Sequence, residues 1–201
     1  MVIKLIVFDY DDTINPPNYL KIFNILNEIE EWKNDVSEIF NFIEQKNIPI
    51  GLLTAGLYEK NNINKNFWFP ENHKNLKYWK NRQDMSELIK KDFNHRTSDS
   101  CSNIKNENNI LICENFKEWL KTEKIIKKIE EDYFYEELNS YCYQKIYTLN
   151  DFCVNENIER NQLLFIDDSP KNIYYANKAG FNTILCKHSH DILQIKNKID
   201  F

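Results

Sequence analysis

Two hydrophobic patterns alternate along this chain. The run Val2–Phe8 is apolar except for Lys4, and it stops at Asp9-Tyr10-Asp11-Asp12-Thr13. A short β-rich run of this kind reads as a buried strand whose end carries acids to a sheet edge. Asn15-Pro16-Pro17-Asn18 is a turn that breaks any helix. From Tyr19 to Gln45 the apolar residues, among them Leu20, Ile29, Trp32, Val36, Ile39 and Ile43, recur at helical spacing. Asn34-Asp35 is expected to divide this stretch into two helices. Asn47–Leu53 is a second short apolar run and ends at Thr54-Ala55-Gly56. Strand, helix and strand in this order form a βαβ unit, which calls for a parallel sheet.

The pattern weakens between Leu57 and Tyr143. Asn94–Asn109 reads as a polar loop and Ile110–Cys113 as a short strand. Phe116–Leu138 reads as a helix whose mixed charges form a solvated face. Regularity returns with a helix from Lys145 to Val154, then the apolar run Gln162–Ile166, which ends in Asp167-Asp168. Ser169 and Pro170 are a natural N-cap and first position for a helix over Lys171–Ala179, and Gly180 suits its C-terminal end. Phe181–Cys186 is a final strand, and a short helix follows from Asp191. The pattern as a whole predicts an α/β, Rossmann-like three-layer core around a central parallel sheet. One domain is expected, its core formed by residues 1–56 and 144–201, with 57–143 as an insertion or small cap.

Composition narrows this picture without changing it. A hydrophobic content of 42% supports a packed core, and a net charge of -5 gives no general reason to expect nucleic acid or an acidic membrane as partner. The five cysteines, Cys101, Cys113, Cys142, Cys153 and Cys186, contain no C-x-x-C, so neither a zinc site nor a disulfide framework is indicated. The opening residues contain no apolar span long enough for a secretory signal, and no transmembrane helix is expected. A reducing, cytoplasmic compartment is the expectation.

Candidate chemistry lies where the strands end. Asp9 and Asp11 concentrate negative charge that is costly without a cation nearby, and a hard divalent ion such as Mg²⁺ answers that need. A D-x-D taken alone reads more readily as an acidic, solvated turn, since so short a motif is weak. In a parallel sheet, however, the ends of the three runs converge, and Asp9, Asp11, Thr54, Asp167 and Asp168 then share one edge. Between Asn61 and Arg82, Phe67, Trp68, Phe69, Tyr78 and Trp79 lie among Lys65, Lys74, Lys77, Lys80 and Arg82. Such interleaving either stacks bases and binds phosphates or packs inward with a charged rim. His188 and His190 are two apart, but no partner cluster for a metal accompanies them.

The set of motifs resembles the haloacid dehalogenase superfamily, whose phosphatases open with a strand followed by D-x-D-x-T. Here that motif is Asp9-Tyr10-Asp11-Asp12-Thr13. Leu52-Leu53-Thr54 is similar to the family's second motif, and Lys145 to its third. Phe165-Ile166-Asp167-Asp168-Ser169-Pro170-Lys171-Asn172 is similar to the fourth. The resemblance covers residues 1–56 and 145–186 and is nearest to the small magnesium-dependent phosphatase group. It implies a Mg²⁺-dependent hydrolase of phosphate monoesters, with a phosphorylated small molecule or macromolecule as substrate. It makes Asp9 the nucleophile, Asp11 the acid and base, and Thr54, beside Ala55, a ligand of the phosphoryl group. Lys145 would neutralise charge. Asp9, the backbone carbonyl of Asp11 and Asp167 would hold the metal, with Asp168 either a further ligand or a residue that orients one. Asp12 stands where the family often has Gly and would tighten the turn. Two other readings are a nucleotide or nucleic-acid-end phosphatase docking through Lys74, Lys77 and Arg82, and a non-catalytic interaction module on the same fold.

Overall fold

The computed structural model describes residues 2–56, 74–94 and 141–199. Within them the chain builds an α/β fold around a five-stranded sheet in which every pairing is parallel. The strands are β1 (Leu5–Asp9), β2 (Ile50–Leu53), β3 (Leu76–Lys80), β4 (Leu163–Asp167) and β5 (Asn182–Leu185), in the spatial order β3-β2-β1-β4-β5. The helices are α1 (Asn18–Ile22), α2 (Leu26–Gln45), α3 (Arg82–Asn94), α4 (Tyr141–Glu156), α5 (Pro170–Lys178) and α6 (Gln194–Ile199). No helix among these residues is long and apolar enough to cross a membrane.

Both faces of the central strands are covered, and this is why β1 and β4 are apolar up to the aspartate that ends each. Successive side chains alternate between the faces. Leu5 and Val7 of β1, with Leu163 and Phe165 of β4, meet Met85 of α3, Ile146, Leu149 and Phe152 of α4, and Ala176 of α5. Ile6, Phe8, Leu164 and Ile166 point the other way, toward Trp32, Val36, Ile39 and Ile43 of α2 and toward Ile192 and Ile195 near the C-terminus. The result is a Rossmann-like arrangement of three layers with a separate core on each side of the sheet.

Gly51 of β2 permits one close approach. A Cβ built there would lie 3.2 Å from Val7 Cγ2 and 3.4 Å from Phe152 Cε2, so the missing side chain lets α4 settle on the sheet. Gly180 has the other requirement that glycine meets, a φ of +92° just after α5. Ser169 caps the start of α5, its hydroxyl accepting from the Asn172 N–H at 3.4 Å.

Some expectations shift. The break in the first helical stretch falls at Phe23–Ile25, and Asn34-Asp35 lies inside α2. Asn24 makes the break because it takes a left-handed φ of 53°, which asparagine tolerates. Asn34 is exposed and Asp35 half-buried within a continuous helix, so their polarity marks no interruption. α4 is helical from the first described residue of its segment, Tyr141, and so includes residues ahead of the expected Lys145; Gln144 and Lys145 are both buried. The sheet also draws β3 from within the stretch read as an insertion. There Tyr78 stacks on Phe152 at 4.3 Å and Trp79 meets Tyr10 edge-on at 6.0 Å, so these two aromatics face inward. Lys74 pairs with Glu44 at 2.7 Å and Lys77 with Glu156 at 2.6 Å. The expected strand Ile110–Cys113, the expected helix Phe116–Leu138 and the aromatics Phe67, Trp68 and Phe69 lie outside the described residues.

Candidate functional site

From the end of β1 the chain turns into α1 and α2, toward one face of the sheet and the β2 side. From the end of β4 it turns into α5, toward the other face and the β5 side. The C-terminal ends of β1 and β4 therefore flank the point where the winding reverses. In open α/β sheets that crevice is where ligands bind. Asp9 ends β1 and Asp167 ends β4.

Both carboxylates are buried, and they share one cation. Lys145, on the inward face of α4, donates from Nζ to Asp9 Oδ1 at 2.6 Å and to Asp167 Oδ2 at 2.7 Å. The lysine is itself only 3% exposed. Asp167 is held further by α5. The Ser169 N–H donates to its Oδ1 at 2.8 Å, and Asn172 Nδ2 lies 2.9 Å from each of its oxygens. Asp168 is half-buried beside them, and the three carboxylates of Asp9, Asp167 and Asp168 offer oxygens within 4.8 Å of one another. Among the described residues this is the group whose geometry suits a metal ion.

Three carboxylates against one ammonium leave surplus negative charge in a poorly solvated place. Burial pushes Asp9 well above the usual carboxylate range, Lys145 opposes the rise, and Asp167 adds to it. Burial likewise raises Asp168, helped by the charges of Asp167 and Asp12. For Lys145 burial alone would lower the ammonium, but the facing Asp9 and Asp167 more than reverse this and hold it above the ordinary lysine value.

Asp11 and Thr54 form a second pair at the same edge. Thr54 follows β2 directly and is fully buried, and its Oγ1 donates to Asp11 Oδ2 at 3.1 Å. The same hydroxyl accepts from the Gly56 N–H at 3.0 Å, which closes a tight turn over half-buried Ala55. The loop carrying Asp11 is narrow. The Ile14 and Asn15 N–H groups both donate to the Tyr10 carbonyl, at 3.1 and 2.9 Å, and Asp11 and Asn15 form a backbone bridge. Asp12 sits at its tip with a left-handed φ of 55°, the conformation a tight turn needs.

The structure thus brings together Asp9, Lys145, Asp167 and Asp168, and it sets Asp11 on Thr54 beside them. His188 and His190 stack on each other, ring centroids 5.4 Å apart, and take no part in the acid cluster. Sequence reasoning did not single out Asn172 as a partner of Asp167. The signal was available, since an Asn three residues beyond an N-cap Ser can turn back toward the strand end. Comparison with family models, with curated proteins and with solved structures finds no match to this chain.

Proposed function

We propose that this chain is a Mg²⁺-dependent phosphohydrolase of the haloacid dehalogenase type, acting through an aspartyl-phosphate on Asp9. The observation that carries the reading is the pair Asp9 and Asp167, which end the two strands at the winding reversal and share the Lys145 ammonium. A purely structural ion pair has no need of a third carboxylate, yet Asp168 adds one.

In this reading Asp9 attacks phosphorus while the bond from phosphorus to the leaving oxygen breaks. Asp11 gives its proton to that oxygen. A water molecule then attacks the phosphoryl group, Asp11 takes the water's proton, and inorganic phosphate leaves as the Asp9 carboxylate is restored. Lys145 holds Asp9 in place and favours its ionised form against the cost of burial. Thr54 reaches Asp11 through its hydroxyl and is placed to donate to a phosphoryl oxygen when substrate enters. Asp9, Asp167 and Asp168, with the Asp11 backbone carbonyl, would hold Mg²⁺, and an all-oxygen donor set with surplus negative charge fits a hard divalent cation. The bound ion would supply charge neutralisation at the phosphoryl oxygens.

The test is phosphate release from an aryl phosphate, with Mg²⁺ or with EDTA, by wild type and Asp9→Asn. Activity that needs the metal and disappears in the variant is expected. An unaltered rate in Asp9→Asn would overturn the assignment.

A further inference from the structure

We infer that Lys21 is a positioning residue, which reaches back from α1 to lock the Asp11–Asn15 loop and so fixes Asp11 for proton transfer to the leaving group. This rests on the phosphohydrolase reading of the site.

The locking contact is specific. Lys21 Nζ donates to Asn15 Oδ1 at 2.8 Å, and Asn15 is buried, 6% exposed. Asn15 is also the far side of the backbone bridge to Asp11, and its N–H shares the Tyr10 carbonyl with that of Ile14. A cation on Asn15 therefore ties the helix after the loop to the residue that closes it. α1 spans only Asn18–Ile22, and Leu20 is its one buried side chain, so packing alone anchors it weakly. Lys21 is itself half-buried, and burial lowers its pKa while the charges of Asp11 and Asp12 act in the opposite direction. A long, rotamer-rich side chain is ordered only where the ordering is offset, and here the offset is one charge-assisted bond plus two nearby acids.

The arrangement complements Lys145. Lys145 serves the buried carboxylates of Asp9 and Asp167, whereas Lys21 approaches Asp11 from the helix on the opposite end of the loop. Thr54 and Lys21 then act at different points: Thr54 on the Asp11 carboxylate and Lys21 on the side-chain amide of Asn15, whose backbone bridges to Asp11.

The experiment compares an alkyl phosphate, whose departing oxygen needs a proton, with 4-nitrophenyl phosphate, whose departing oxygen does not. kcat/KM is the quantity to follow, because it reports steps only through formation of the phosphoenzyme. For Lys21→Met the alkyl-to-aryl ratio of kcat/KM should fall about tenfold to hundredfold, inside the roughly 100- to 10,000-fold that a general acid supplies. Lys21→Arg should recover most of it. Amide hydrogen exchange at Ile14 and Asn15, whose N–H groups share the Tyr10 carbonyl, should quicken in Lys21→Met and return toward wild type in Lys21→Arg. Faster exchange with an unchanged ratio would make Lys21 a mere loop clamp and overturn the proposal. An unchanged ratio with unchanged exchange would overturn it as well. Wild type inactive on both esters would instead bring down the phosphohydrolase reading, and the role of Lys21 with it.

Discussion

Asp9 and Asp167 accept hydrogen bonds from the same ammonium, that of Lys145, at 2.6 and 2.7 Å, and all three residues are buried. Removing the cation leaves two buried acids facing each other, with only the Ser169 N–H and Asn172 still donating to Asp167. Lys145→Met should therefore lose roughly 3–5 kcal/mol of stability, the usual cost of breaking a buried pair from one side. Urea denaturation measures this. Adding Asp167→Asn to Lys145→Met should return part of the loss, because one of the stranded charges is then gone.

Asn172 approaches both oxygens of Asp167. On the proposal that Asp167 helps hold Mg²⁺, Asn172→Leu should weaken binding of that ion by about 10- to 100-fold, the range seen when a partner that orients a metal-binding carboxylate is lost. Calorimetric titration of the metal reads the effect directly. An affinity equal to wild type would show that the Ser169 N–H and Lys145 orient Asp167 sufficiently without it.

Two glycine replacements should fail for different reasons. Gly51→Ala places a methyl against Val7 Cγ2 and Phe152 Cε2 and should cost about 1–3 kcal/mol through overpacking. Gly180→Ala meets open space, and its cost, roughly 1–2 kcal/mol, comes from the backbone at φ +92°. Replacing Val7 by Ala in the Gly51→Ala background should relieve part of the first, and no neighbouring truncation should relieve the second. Thermal unfolding of the set separates crowding from strain.

Burial pushes the thiol of Cys153 up to about 11, and burial with the nearby charge of Asp191 pushes that of Cys186 up to about 12. Both should resist alkylation at pH 8 in the folded protein and react on unfolding, as peptide mapping would show. The sign for stability follows. Above the ordinary thiol pKa the unfolded chain releases these protons while the folded chain keeps them, so stability should fall as pH rises from roughly 9 toward 11. Rapid labelling of either cysteine at pH 8 under native conditions would contradict the packing around it.

Glu156 is held below its usual carboxylate value: burial would raise it, but hydrogen bonds from Lys77 and Tyr78 and the Lys77 charge outweigh that. Its contribution should be present above the unfolded value and lost as pH falls through the depressed folded one. Glu156→Gln should therefore differ from wild type in melting temperature at pH 7 and approach it in strong acid.

How much of this was legible in the sequence depends on where each signal resides. β1 and β4 were readable because strands covered on both faces are written as unbroken apolar runs, and their terminal acids stand out against them. β3 was obscured because it is an edge strand, Leu76–Lys80, with lysines at two of its positions and flanks full of aromatic and basic residues. The break at Asn24 depends on a backbone angle that composition does not record, whereas Asn34-Asp35 looked like a break only because it is polar. Thr54 could be placed at the sheet edge from its position after β2, but its bond to Asp11 and the link from Lys21 to Asn15 appear only once the loop is folded.

The distribution of the acid cluster along the chain has a consequence for synthesis. Asp9 is synthesised 136 residues ahead of Lys145, and Asp167 and Asn172 follow later still. Until they arrive, the Asp9 carboxylate has no partner that would repay its removal from water. β1 can therefore pair with β2 early, but its acidic end must stay hydrated until β4 docks on the other side. A nascent chain stalled before β4 should carry a half-built sheet with a wet, open centre.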